Sequence, residues 1–143
     1  MNFFISSEVD APVADSFREI RKEIEKELNS LDQNFYGESV ENVSIICMIV
    51  NLTSEFDEAG FHGELLRYSK KNKNADVRIR INYLKFFNGD SAYRKILVLK
   101  SIIDAIRGVA QKTNGEFNAV ELENDILNLF NVTNREMDEI YIK

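Results

Sequence analysis

Tryptophan is absent from these 143 residues, and cysteine, histidine and proline each occur once. A lone cysteine rules out a disulfide within the chain, and a lone histidine beside it rules out a zinc site built from those two ligand types. Cys47 lies inside the apolar run Val43–Val50. That setting favours a buried thiol over a nucleophile, because a reactive cysteine needs exposure and a nearby base. The glycines at 37, 60, 63, 89, 108 and 115 are scattered, so neither a P-loop nor a GxGxxG pattern exists to cradle a phosphate. No stretch reaches the roughly 18 apolar residues that cross a bilayer, and the N-terminus MNFFISSEVDAPVA lacks the basic start and apolar run of a signal peptide. A cytoplasmic protein without a cofactor or metal is expected. Repeats, low-complexity tracts and linkers are also missing. At 44% hydrophobic, the chain reads as a single domain, 1–143, with a core of its own.

What is present is charge, and it is sorted along the chain. The total is −6, yet residues 64–112 hold four acids and twelve bases, while thirteen acids and four bases precede them and seven acids and two bases follow. A basic stretch suggests phosphate contact; acidic flanks repel phosphate and suit a cationic partner.

The hydrophobic pattern outlines the elements. Residues 2–9 alternate with the period of a strand. Asp10 is placed to cap a helix with Pro12 in its first turn, and Phe17, Ile20, Ile24, Leu28 and Leu31 give that helix an apolar stripe up to about residue 31. Val43–Val50, continuously apolar and β-branched, reads as a central strand covered on both faces. An acidic loop, Thr53–Gly63, follows. Glu64–Ser69 and Ala75–Tyr83 read as strands joined by the polar connection Lys70–Asn74, the second with Val77, Ile79 and Ile81 on one face and Asp76, Arg78, Arg80 and Asn82 on the other. Asp90 caps a helix over Ser91–Lys112 whose stripe is broad enough to meet both the sheet and another helix. That second helix is expected at Asn118–Asn131, where Asn118 and Glu121 have capping-box spacing. Thr133 and Glu136 repeat this spacing, so the tail 133–143 reads equally as a short helix or, through Glu139–Ile142, as a strand. The order β-α-β-β-β-α-α predicts an α+β domain with an antiparallel sheet of about four strands and helices on one face.

Three chemistries compete for this surface. His62, in Ala59-Gly-Phe-His-Gly-Glu64, lies close enough to Glu64 for a general-base pair in a small enzyme. Arg67, Lys70, Lys71, Lys73, Arg78 and Arg80, with Tyr68 and Tyr83 for stacking, would form a nucleic-acid-binding hairpin over 67–80. Against it, Tyr68 is expected on the buried face beside Leu66, and lysines on exposed strands also guard against edge-to-edge pairing. Acidic surfaces are the third feature. Asp15, Glu19, Glu23 and Glu27 are each four apart on the first helix, beside a basic line at Arg18, Lys22 and Lys26, and Glu55, Asp57 and Glu58 lie on a loop free to reach outward.

Phe3-Phe-Ile-Ser-Ser-Glu-Val9 entering an amphipathic helix, then the apolar strand, Gly63-Glu-Leu-Leu-Arg-Tyr-Ser-Lys70, Ala75-Asp-Val-Arg-Ile-Arg-Ile81 and an apolar helix resemble the Imm44-type immunity proteins of bacterial polymorphic toxin and contact-dependent growth inhibition systems. The likeness covers most of the chain up to about residue 110; the absence of tryptophan departs from the family's pattern. It implies a non-enzymatic, cytoplasmic protein that binds and neutralises one cognate toxin; the acidic surfaces add the expectation of a toxin with a cationic substrate site, for instance a nuclease domain, and the broad apolar stripe of 91–112 leaves monomer and homodimer both open. The partner-binding residues expected on that reading are Glu55, Asp57, Glu58 and Glu64, then Asp15, Glu19 and Glu23. Glu8 or Glu64 has an alternative role as the ion-pair partner of Arg78 or Arg80 across the sheet.

Overall fold

The computed structural model describes residues 2–9, 11–31, 36–50, 60–133 and 135–136. Its elements are β1 (Asn2–Val9), α1 (Ala11–Asn29), β2 (Asn42–Val50), β3 (Phe61–Ser69), β4 (Asn74–Asn82), α2 (Tyr83–Asn88), α3 (Ser91–Lys112) and α4 (Ala119–Leu129). The class is α+β, as the pattern predicts. The sheet, however, is mixed rather than antiparallel: in the order β1-β2-β4-β3, β1 and β4 both run parallel to β2, and only β3 is antiparallel to its neighbour. The 19-residue helix α1 accounts for the first parallel pair, because it carries the chain back to the end where β1 began, and the antiparallel β3–β4 hairpin, with β4 inserted beside β2, gives the second.

One face of the sheet holds the core. Phe3 and Ile5, then Val43, Ile45, Cys47 and Ile49, then Ala75, Val77, Ile79 and Ile81 all lie in register and are buried. The alternate residues of β2, Ser44, Ile46 and Met48, are only half-buried, so β2 is covered on one face and not on two. Onto the apolar face pack Phe17, Ile20, Ile24 and Leu28 of α1, and α3, whose residues 97–103 are buried without a break. A helix buried all round at its middle must be sandwiched, and Leu122 and Ile126 of α4 join the same core from its other side. Burial pushes the Cys47 thiol well above its ordinary value, which makes it a core residue and not a nucleophile.

Capping is where sequence and structure agree most closely. The Asp90 carboxylate accepts from Tyr93 N at 2.8 Å, and Asn118 accepts from Glu121 N at 3.0 Å while its amide donates to the Glu121 carboxylate at 3.2 Å. Thr133 and Glu136 close the same box, with Arg135 and Glu136 helical; the strand reading of Glu139–Ile142 lies outside the described residues, as does the Asp10 cap.

Three boundaries differ from expectation. β3 begins at Phe61 and takes in His62 and Gly63, which the sequence places in a loop. Tyr83 leaves the strand: Asn82 accepts from Lys85 N and starts α2, a six-residue helix the sequence reading does not contain. Leu66 does not share Tyr68's buried face. The β3–β4 register shifts between Leu65 and Arg67, which leaves Leu66 46% exposed, whereas Tyr68 packs on the core.

The outer edge of β1 is sealed by α1. Asn29 accepts from Phe3 N at 2.8 Å and donates to Phe3 O at 3.0 Å, Glu25 accepts from Ile5 N at 2.7 Å, and Arg21 donates to Ile5 O at 3.1 Å. Side chains thus take the place of a further strand and close an edge that would otherwise invite pairing.

Candidate functional site

The sheet face away from the helices carries the charged side chains of the hairpin. Across the sheet it presents Ser44, Asp76 and Arg67 in one row, Ile46, Arg78 and Glu64 in the next, and Met48, Arg80 and His62 in the third. Side chains of period two on neighbouring strands necessarily meet as such rows. Arg67 grips Asp76 through Nε and Nη2 at 3.1 and 2.9 Å. In the second and third rows one carboxylate serves three cationic or titratable groups. Glu64 Oε1 accepts from Arg78 Nε at 2.8 Å and also from Arg78 Nη2, Arg80 Nη2 lies 3.8 Å away, and His62 Nε2 is 3.6 Å from Glu64 Oε2. The cross-sheet pairing foreseen as Glu64's alternative role is therefore what the structure contains. The side chain of Glu8 lies outside the described residues.

Glu64 has a pH signature. Partial burial by itself raises its carboxyl, but the hydrogen bond from Arg78 and the charges of Arg78, Arg80 and His62 outweigh burial and hold the group below its ordinary value. A folded value below the unfolded one adds stability that is complete above the unfolded value and is lost as pH falls through the folded one. Glu64→Gln is expected to lower stability by about 1 kcal/mol at neutral pH. The gap between the two proteins should close as pH drops below the usual glutamate range near ~4.3. Denaturant titrations at several pH values read this directly; a gap that stays constant into strong acid would contradict the pairing.

The geometry bears on each competing chemistry. A groove of about 770 Å³ does run beside His62 and Glu64, between β3 and α3, but the carboxylate there is already held by Arg78, and 3.6 Å is too long for a His–Glu hydrogen bond. For nucleic acid, the aromatic platforms are spent. The Tyr68 hydroxyl donates to Ser39 O at 2.9 Å with its ring on the core, and the Tyr83 ring stacks on Phe87 at 5.9 Å between centroids. The basic segment is partly neutralised from the flanks: Glu41 pairs with Lys73 at 3.5 Å, Glu123 with Arg107 at 2.7 Å, and Glu23 with Lys95.

The acidic candidates part company. Asp15, Glu19 and Glu23 line a groove of about 940 Å³ between α1 and the start of α3, together with Arg18, Lys22 and Arg94. Asp15 pairs with Arg18 at 3.3 Å and Glu23 with Lys95 on α3. Besides that internal pair, α1 spends Glu23 on α3 and Glu25 on the edge of β1. Glu55, Asp57 and Glu58 lie outside the described residues, but both ends of their segment are placed. Val50 is the register partner of Asn82, and Gly60 O accepts from Asn82 N at 2.8 Å.

One residue the sequence reading misses is Asp104, whose carboxylate accepts from Gly63 N at 3.0 Å. Nothing local links positions 41 apart; only the packing of α3 along β3 does. Among the described residues no cluster of three or more His, Cys, Asp or Glu side chains is arranged to hold a metal ion, and no helix is long and apolar enough to cross a membrane.

These features define an α+β protein whose helices share one sheet face and whose other sheet face carries arginines engaged with Glu64 and Asp76. The chain belongs to the Imm44 family, immunity protein 44, whose model matches residues 1–132. No match was found among curated proteins or solved structures.

Proposed function

We propose that this chain protects a bacterium by binding one cognate toxin and covering the toxin's active site with acidic surface. The observation that carries the proposal is the family match over residues 1–132, since immunity is what the family is named for. The site assignment rests on sequence and on exposure. Glu64 is held by Arg78, Glu25 by the β1 edge and Glu23 by Lys95. The segment 51–59 holds Glu55, Asp57 and Glu58 and no base, and next come the exposed acids of α1, Glu19 and Asp15, the latter paired only with its exposed neighbour Arg18. A toxin that cleaves nucleic acid needs a cationic substrate site, which such a surface complements.

The test is co-expression with the toxin domain encoded beside this gene. The wild type is expected to restore growth and to co-purify with that domain. Reversing Glu55, Asp57 and Glu58 to lysine should abolish protection while the circular dichroism spectrum is unchanged. Full protection by the triple variant would move the contact elsewhere, and Asp15→Lys with Glu19→Lys then tests α1.

A further inference from the structure

A strand that is apolar at every position has the composition of one covered on both faces. β2 is such a strand through Ile45-Ile-Cys-Met-Ile49, yet the described helices cover only one of its faces, and the outward Ile46 and Met48 are half-buried. The margins of the open face are apolar too. Phe4 on β1 is 56% exposed, and Leu66, in the bulge of β3, is 46% exposed. Between these margins the polar side chains are fixed by one another. The Asn2 amide donates to Asn42 Oδ1 at 3.2 Å and the Asn42 amide to Asn74 Oδ1 at 3.0 Å, a ladder across three strands, while Asp76 holds Arg67 and Glu64 holds Arg78. A flat face whose side chains are already ordered loses little entropy when a partner covers it.

The charge on this face indicates what covers it. The face and the turn 70–73 at its end carry Arg67, Lys70, Lys71, Arg78 and Arg80 against Glu64 and Asp76. Glu8, at the register position beside Met48, adds one acid, and Glu41 offsets Lys73. Cations remain in excess. Nucleic acid is a poor occupant, because the Arg78 and Arg80 side chains are only 34% and 25% exposed, the Tyr68 and Tyr83 rings are engaged elsewhere, and the whole chain carries −6. A second copy of this chain fits no better, since a two-fold contact through this face sets one cationic excess against the other. A protein surface whose apolar side chains are bordered by carboxylates meets both the apolar margins and the charge.

We infer that this open sheet face docks an acidic, partly apolar patch of the toxin. This rests on the immunity reading above and adds to it a second contact, opposite in charge to the first, which fixes how the toxin is oriented. The test uses the full chain and the toxin domain encoded beside its gene. One variant carries Phe4→Ser and Leu66→Ser, the other Arg67→Glu, Lys70→Glu and Lys71→Glu, all at exposed positions. Toxin affinity is read by calorimetry, stability by thermal melting, mass by light scattering, and nucleic-acid binding with a single-stranded oligonucleotide at physiological salt. Each variant should bind the toxin at least about tenfold more weakly, with melting temperature lowered by less than about 5 °C and mass unchanged. Wild-type affinity in either variant overturns the inference and leaves the immunity reading intact. A larger fall in melting temperature also overturns it, because the face is then covered by this chain itself. So does a wild-type dimer that the apolar variant splits, or oligonucleotide binding by the wild type that the charge variant loses. A wild type that neither binds nor neutralises the toxin removes the immunity reading and the inference together.

Discussion

Phe86→Ala is expected to lower the stability of this protein by about 4 kcal/mol, a loss on the order of 10 °C in melting temperature for a domain of this size. Phe86 is fully buried, meets Phe17 edge-on with centroids 6.2 Å apart at 62°, and lies with its ring 5.1 Å from the Arg94 guanidinium carbon. Removing the ring leaves a void between α1 and α2 that the sheet prevents from collapsing, so the cavity cost adds to the lost transfer energy. The neighbouring Phe87→Ala is the control. Half exposed, it should change stability by less than about 1 kcal/mol. Chemical denaturation of both variants separates the two. A Phe86→Ala loss below about 1.5 kcal/mol would mean that α2 is not anchored as described.

Gly63→Val should be nearly as severe, at about 3 kcal/mol, and for the opposite reason. A Cβ at Gly63 would stand 2.2 Å from Ser101 O and 2.7 Å from Ala105 N, both backbone atoms of α3. Backbone cannot rotate out of the way as a side-chain end can, so α3 must lift from β3. The 3.0 Å hydrogen bond from Gly63 N to Asp104 would stretch with it. Gly108, on α3 itself, makes the contrast. Its nearest neighbours would be atoms of Leu65 at 3.7 Å, an ordinary contact. Gly108→Ala is therefore expected to be neutral or stabilising by up to about 1 kcal/mol through helix propensity. Thermal melts of the two glycine variants would settle the comparison, and equal effects would contradict this account of how closely the helix approaches.

Gly63 also shows why the start of β3 is hard to read from sequence. A glycine beside a lone histidine looks like loop chemistry, yet here it is a strand position emptied of its side chain so that a helix can approach. α2 is concealed for a related reason. Tyr-Leu-Lys-Phe-Phe-Asn favours a strand by composition, and one turn and a half of helix is too short to develop a period. Its one local signal is the Asn82 cap. Leu66 is misplaced because strict alternation breaks at a bulge, and a bulge depends on the partner strand.

The sequence by itself determined those parts whose cause lies within a few residues. These are the alternation of β1 and β4, the apolar stripes of α1 and α3, the Asp90 and Asn118 caps, and the excess of acid outside residues 64–112. The tertiary structure alone decided which strands are parallel, because that depends on where α1 returns the chain and on β4, not β3, lying beside β2. It also decided what each charge meets. Glu64 is taken up by Arg78, Glu23 by Lys95, Glu41 by Lys73 and Glu123 by Arg107, pairs from 14 to 72 residues apart. Coulomb attraction acts through space, and only the fold says which charges are near.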